Sequence, residues 1–207
     1  MLSLLNKYST DNGFVIYDYK NRLYNDNKKK YIPQLFNNNI IFISAQSFQQ
    51  THKILSKNIR KFVLSEINKS NTNNITCIGG ESYIYGILSN YENIFHYTNC
   101  LYIYNDLEYN NTIYRKNIEN NVINYNSFNN YFSNNNICVI NLSKLYLRLL
   151  ENINNKRFTK IIIINCNHND FWNKIKILKN YKLVKREQFI CEKLKYFITV
   201  NIFIYKC

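Results

Sequence analysis

Ile161-Ile162-Ile163-Ile164-Asn165-Cys166-Asn167-His168 is the stretch from which the rest of the chain can be read. Four consecutive isoleucines predict a strand buried on both faces, the pattern of a central parallel strand. The strand gives way to polar, turn-forming Asn165, Cys166 and Asn167, and a helix is expected from Asn169 or Asp170. That order puts one thiol at the carboxyl edge of a sheet, where open α/β sheets hold their sites. The helix N-terminus would lower the thiol pKa toward the reactive thiolate. The alternative is a Cys buried at a strand end as a small apolar residue.

Outward from this stretch the chain alternates between strand and helix patterns. Short apolar runs at 40–44, 75–78, 100–104, 122–125 and 137–140 read as strands. Leu55, Ile59, Phe62, Val63 and Ile67 share one helical face, opposite Lys53, Lys57, Arg60 and Lys61, which form either a solvated surface or a phosphate-contacting one. Further helices are expected over 82–89, over 106–119, through Leu145, Leu149, Leu150 and Ile153, and through Phe171, Ile175 and Leu178. Two last strands, 183–189 and 196–205, have no helix between them and predict an antiparallel edge hairpin. The expected fold is α/β and Rossmann-like, a mostly parallel sheet covered on both faces. Residues 1–39 read as an N-terminal arm or hairpin and 40–207 as one domain.

The charge is strongly positive, 27 basic against 13 acidic residues, net +14. A polyanionic partner, nucleic acid first, follows from that balance. Asn, Ile and Lys dominate, which is also the signature of an AT-rich genome, so codon bias offers a second origin for the lysines. Six cysteines without a C-x-x-C pair and three scattered histidines argue against a metal site. With no signal peptide and no apolar run of transmembrane length, an intracellular, cytoplasmic protein with reduced thiols is expected (host cytoplasm if viral).

Four segments fall at expected strand ends. Gly79 and Gly80 would let backbone approach a ligand. Asn105 and Asp106, with Glu108 nearby, would supply a ribose ligand, or Asp106 would cap a helix. Asn141 ends the next strand, and Asn165-Cys166-Asn167 the one after.

With these residues in place, the chain resembles the RNA uracil-5 methyltransferases, class I S-adenosylmethionine-dependent enzymes that use a cysteine nucleophile. Ser47-Phe48-Gln49-Gln50 is similar to the family's S-F-x-Q segment, with His52 in place of a following Asn. Gly79-Gly80-Glu81-Ser82-Tyr83 stands where the family has its G-x-G-x-F cofactor loop. Asn141-Leu142-Ser143-Lys144 takes the place of D-P-P-R, and Asn165-Cys166-Asn167-His168 resembles S-C-N-P. The resemblance implies a class I methyltransferase fold and S-adenosylmethionine held by Gln50, Gly79, Gly80, Asn105, Asp106 and Asn141. It also implies an RNA substrate whose uracil is attacked by Cys166, with Arg186 and the Lys-rich terminal third holding phosphates.

The departures are specific. The family's ribose acid falls at neutral Asn105, its D-P-P-R acid at neutral Asn141, and its general-base Glu has only Glu192 as a stand-in. Three lost acids leave two alternatives to uracil methylation. One is a catalytically inactive relative that binds RNA or a protein. The other is a methyltransferase of different chemistry in which Cys166 is incidental.

Overall fold

The computed structural model describes residues 8–10, 13–17, 23–25, 31–36, 39–44, 47, 53–70, 72–126, 137–166, 170–191 and 196–206. Three short strands, β1 (Tyr8–Thr10), β2 (Gly13–Tyr17) and β3 (Leu23–Asn25), form an antiparallel sheet of their own. β4 (Tyr31–Phe36) and β5 (Asn39–Ser44) form an antiparallel hairpin, so the expected boundary at 39/40 falls inside β5.

The remaining chain alternates in order: α1 (Lys53–Ile67), β6 (Asn74–Ile78), α2 (Ser82–Leu88), β7 (Asn93–Thr98), α3 (Leu101–Tyr114), β8 (Asn117–Val122), β9 (Ile137–Asn141), α4 (Leu147–Asn154), β10 (Lys160–Asn165), α5 (Phe171–Ile175), β11 (Tyr181–Cys191) and β12 (Tyr196–Tyr205). The seven strands order as β11-β12-β10-β9-β6-β7-β8. β10, β9, β6, β7 and β8 run parallel, while β12 is antiparallel to both β10 and β11. The expected parallel sheet with a closing antiparallel hairpin is the one observed. β12 inserts beside β10, and β11 takes the edge.

The isoleucine run explains the layering. Ile162 and Ile164 join the core under α1, α2 and α3, and Ile161 and Ile163 join the core under α4 and α5. A strand apolar on both faces is stable only between two helical layers. α1 buries Leu55, Ile59, Val63 and Ile67, as its period requires, and leaves Lys57 and Lys61 exposed. Arg60 departs from the expected outer face: it turns inward to Glu81 (2.8 Å).

Three consecutive elements differ from expectation, with the helix at 101–114 rather than 106–119, and the first matters for the site. Residues 100–104 are not a strand. The strand is β7, and 101–104 open α3. Cys-Leu-Tyr-Ile-Tyr has strand-like composition, but Ile103 and Leu107 bury as a helical i, i+4 pair beside buried Asp106 and Asn110. β7 hides from composition because, on the face it shares with Ile94, His96 and Thr98 are polar, while Tyr97 is buried on the other face. α3 stops at Tyr114 because Arg115 takes the left-handed conformation (φ 51°), its N–H donating to Asn111 O. The following strand is then 117–122 rather than 122–125.

Candidate functional site at the carboxyl edge of the sheet

The chain proceeds outward from β6 through β7 to β8, then returns to the other side of β6 as β9. This reversal is a topological switch point, the place where open α/β sheets form a crevice beyond their strand ends. Ile78 is level with Ile140 on one side and Tyr97 on the other, so Gly79, Asn141 and Thr98 stand side by side at the edge. β10 continues the row, with Ile164 level with Asn141 and Cys166 two residues further on.

Gly79 and Gly80 both take positive φ, +70° and +42°. Gly79 N–H donates to Tyr97 O (2.8 Å), and Gly79 O accepts from Ser82 N–H (3.0 Å), closing the turn into α2. A Cβ on Gly79 would lie 2.1 Å from Leu142 Cδ2, and one on Gly80 would lie 2.6 Å from Asn141 O. The two glycines are therefore demanded by backbone conformation and by the close approach of the segment after β9. Beside them, Glu81 is buried and held by Arg60, whose guanidinium also lies over the Phe36 ring (4.1 Å to centroid). That pair fastens α1 and the β4–β5 hairpin to the turn.

Of the expected site residues, Gly79, Gly80, Asn141 and Cys166 come together on this edge. Asn105 and Asp106 do not stand at a strand end, which corrects that expectation. They lie in α3, and Asp106 is fully buried (0% exposed). Its Oδ1 accepts the Ser44 backbone N–H (2.9 Å), while Asn105 O accepts the Tyr31 hydroxyl (3.4 Å). Asp106, together with Glu81, also holds the buried Tyr83 hydroxyl well above its ordinary pKa, after burial itself as the first cause. The position that does end the second parallel strand is Thr98-Asn99. Thr98 Oγ1 accepts the Cys100 N–H (3.1 Å), and Asn99 is exposed. Sequence reading missed Asn99 because β7 was placed seven residues too late; the turn pair Asn99-Cys100 after the Ile94/His96/Thr98 alternation was the available signal.

Gln50, Asn167 and Glu192 lie outside the described residues. Ser47, which begins the same S-F-x-Q segment as Gln50, is buried with its Oγ 2.8 Å from Ser44 Oγ, next to Asp106's partner. Below the β7 end, Tyr125 is buried with its hydroxyl donating toward Tyr97 O (3.4 Å) and its ring 5.2 Å from Tyr146. Burial pushes its hydroxyl up.

The thiols divide sharply. Cys77 and Cys138 are fully buried, and burial pushes both up, so neither supplies thiolate. Cys100 and Cys166 are both half-buried against the core under α1 to α3, and Cys166 is the one that follows a strand end at the edge. Among the described residues no three His, Cys, Asp or Glu gather as a metal site, and no helix is long and apolar enough to cross a membrane.

The fold is similar to that of the Pyrococcus abyssi tRNA (uracil-54, C5)-methyltransferase in complex with S-adenosyl-L-homocysteine (TM-score 0.69, 17% identity, 88% of this chain and 46% of that one). It is also similar to the M. jannaschii tRNA m1G37 methyltransferase (0.69, 11%, 94% and 61%) and to M. jannaschii TYW2 in complex with AdoMet (0.61, 10%, 89% and 91%). The fold is that of the class I methyltransferases. The chain spans less than two thirds of the first two proteins' length. No family model and no curated protein matches the chain.

Proposed function

We propose that the chain is an S-adenosylmethionine-dependent methyltransferase acting on RNA, of the kind that methylates uracil at C5 through a cysteine nucleophile. One observation carries it: the glycine turn and Asn141 meet at the switch point of the sheet, with Cys166 at the adjacent strand end. Nucleotide-bearing ligands occupy that crevice in open α/β sheets. Similar folds described with S-adenosyl-L-homocysteine or AdoMet support the choice of ligand.

The donor set fits the cofactor's neutral portions. Gly79 and Gly80 present backbone without side chains, and the amides of Asn99 and Asn141 offer donors and acceptors to hydroxyls and to an amino-acid group. S-adenosylmethionine would supply an electrophilic methyl group there. The Cys166 thiolate adds to C6 of the uracil, forming the C–S bond and pushing the double-bond electrons toward C5 and O4. C5 would take the methyl as S-adenosyl-L-homocysteine departs, a base would remove the C5 proton, and the C5–C6 double bond would reform as the thiolate leaves. The +14 charge suits the polyanion that carries the base.

A second reading is an inactive relative that binds RNA or a protein. It is favoured by the absence of a carboxylate at Thr98-Asn99 and at Asn141, and by the engagement of Asp106 with Ser44 and of Glu81 with Arg60. Calorimetry with S-adenosylmethionine separates the two, since the inactive reading expects no heat of binding. Where cofactor binds, RNA carrying 5-fluorouracil should form a covalent adduct, because fluorine at C5 blocks the final elimination. Cys166→Ala should abolish the adduct, and Cys77→Ala should not. Cofactor binding without an adduct on any RNA would reject the Cys166 nucleophile.

A further inference from the structure

We infer that Trp172 and Arg186 form a platform that grips a nucleotide of single-stranded RNA flanking the one that enters at Cys166, an inference that rests on the RNA-methyltransferase reading. Trp172 is the chain's single tryptophan, and it is left 41% exposed at the start of α5. Its neighbour Phe171 is buried and meets the indole edge-on (5.1 Å between centroids, 82°), so the ring is anchored rather than loose. The exposed guanidinium of Arg186 lies over the indole, 4.8 Å from its centroid. An anchored aromatic ring beside a cation is the pair that single-stranded nucleic acid uses: a base stacks on the ring, and the cation meets the base or its phosphate.

The placement suits a flanking nucleotide. Arg186 in β11 is level with Asn201, which is level with Ile163 in β10. Asn165, the last residue of that strand, lies two residues further along and two strands across from Arg186, about 12 Å at the ordinary strand rise and spacing. Exposed Lys176 and Lys179 follow α5 on the same stretch of chain, while Lys182, level with Ile204 and Lys160, falls on the other face of the sheet. Lys185 is held by Glu66 and Lys174 by Asp170. An acidic protein segment would satisfy the cations but would leave the indole without a flat partner. RNA satisfies both.

The single tryptophan makes the test direct. Its emission, excited where tyrosine does not absorb, is followed while the full chain is titrated with a uridine-rich single-stranded RNA, and affinity is measured in parallel by anisotropy. RNA is expected to quench the emission. Heparin, a polyanion without bases, should displace the RNA without quenching. Trp172→Ala should weaken RNA binding by about 10-fold, with Trp172→Phe retaining most of it. Arg186→Met should flatten the dependence of affinity on salt by about one unit of log–log slope. Calorimetric S-adenosylmethionine binding should be unchanged in all three variants. RNA binding with unaltered emission and an unaffected Trp172→Ala would overturn the platform and leave the methyltransferase reading standing. Quenching by polyglutamate equal to that by RNA would overturn it in favour of an acidic protein partner. Cofactor binding with no RNA affinity in the wild type would overturn the RNA reading and the platform with it.

Discussion

The switch-point turn and the seam between β5 and α3 are both rich in Asn, Asp and small residues, yet they are built for opposite ends. At the seam, the outer edge of β5 meets α3 rather than another strand. Asp106, Asn110 and Tyr114, each four residues apart on the helix, serve residues 44, 42 and 40 of the strand. Asp106 accepts from Ser44 N–H, and Asn110 both accepts from Phe42 N–H (2.9 Å) and donates to Phe42 O (2.6 Å). The Tyr114 hydroxyl donates to Ile40 O (2.8 Å). The helix period of 3.6 and the strand period of 2 run in step here, and the side chains stand in for a missing ladder partner. At the switch point, by contrast, two glycines and Asn141 bring backbone against backbone, and Asn99 beside them faces solvent. Polar residues near an apolar run thus mark a candidate site only where their capacity is not already consumed by a neighbouring edge.

The contrast breaks most visibly at Gly80. Gly80→Ala places a Cβ 2.6 Å from Asn141 O in a residue at φ +42°. Left-handed strain and overpacking together should cost about 4 kcal/mol, read by urea unfolding. Calorimetric cofactor binding should be lost as well. A Gly80→Ala protein as stable as wild type with unchanged binding would show that the turn has slack and is no cradle. The seam should behave differently. Asn110→Ala strands the Phe42 N–H and C=O together and should cost about 3 kcal/mol, while the folded protein binds S-adenosylmethionine as before. Parallel loss of cofactor affinity would make the seam part of the site.

The architecture was legible because its strongest signals are strands without alternatives. Ile161–Ile164 can satisfy four apolar side chains only between two layers, and the two closing strands without a helix between them have to be antiparallel. The glycine turn, Asn141 and Cys166 were legible for the same reason, since each directly follows such a strand. Asn105 and Asp106 were misplaced because β7 carries His96 and Thr98 on the face it shares with Ile94, so its apolar pattern is weaker than that of the first helical turn after it. The inward turn of Arg60 was illegible because its partner, Glu81, is distant in sequence, and local period assigns a cation to solvent by default. The Trp172–Arg186 pair was hidden likewise, its two members lying on different elements that only the fold brings together.

His96 sharpens the comparison at the smallest scale, for it lies in β7 under α2 and α3, between the two regions. Its Nδ1 is 2.7 Å from Asn120 Oδ1. Asn120 spends its amide hydrogens on Glu108 and Tyr104 O, so Oδ1 is the acceptor and the neutral imidazole carries its proton on Nδ1. From α2, the Tyr83 ring meets the imidazole edge-on at 6.1 Å, and Glu108 reaches it only through Asn120. Burial lowers the His96 pKa to about 4, against the 6.5 of a free imidazole. The unfolded chain therefore binds a proton first as pH falls, so stability present above pH 6.5 drains away through that window and is lost by the folded pKa. Between pH 7 and pH 5 the loss should be about 2 kcal/mol. Glu66, whose carboxyl Lys69 and Lys185 hold below its ordinary value despite its burial, loses its own contribution only below about pH 4.5 and stays out of this window. Urea unfolding of the wild type and of His96→Gln at the two pH values isolates the effect, with the variant expected to lose the slope. Cofactor affinity of the folded protein should not follow the change, because protonation of His96 weakens the packing beneath α2 and α3 and leaves the Gly79–Asn141 contact untouched. A cofactor affinity that titrates with His96 would mean that the seam and the switch point are one cooperative unit.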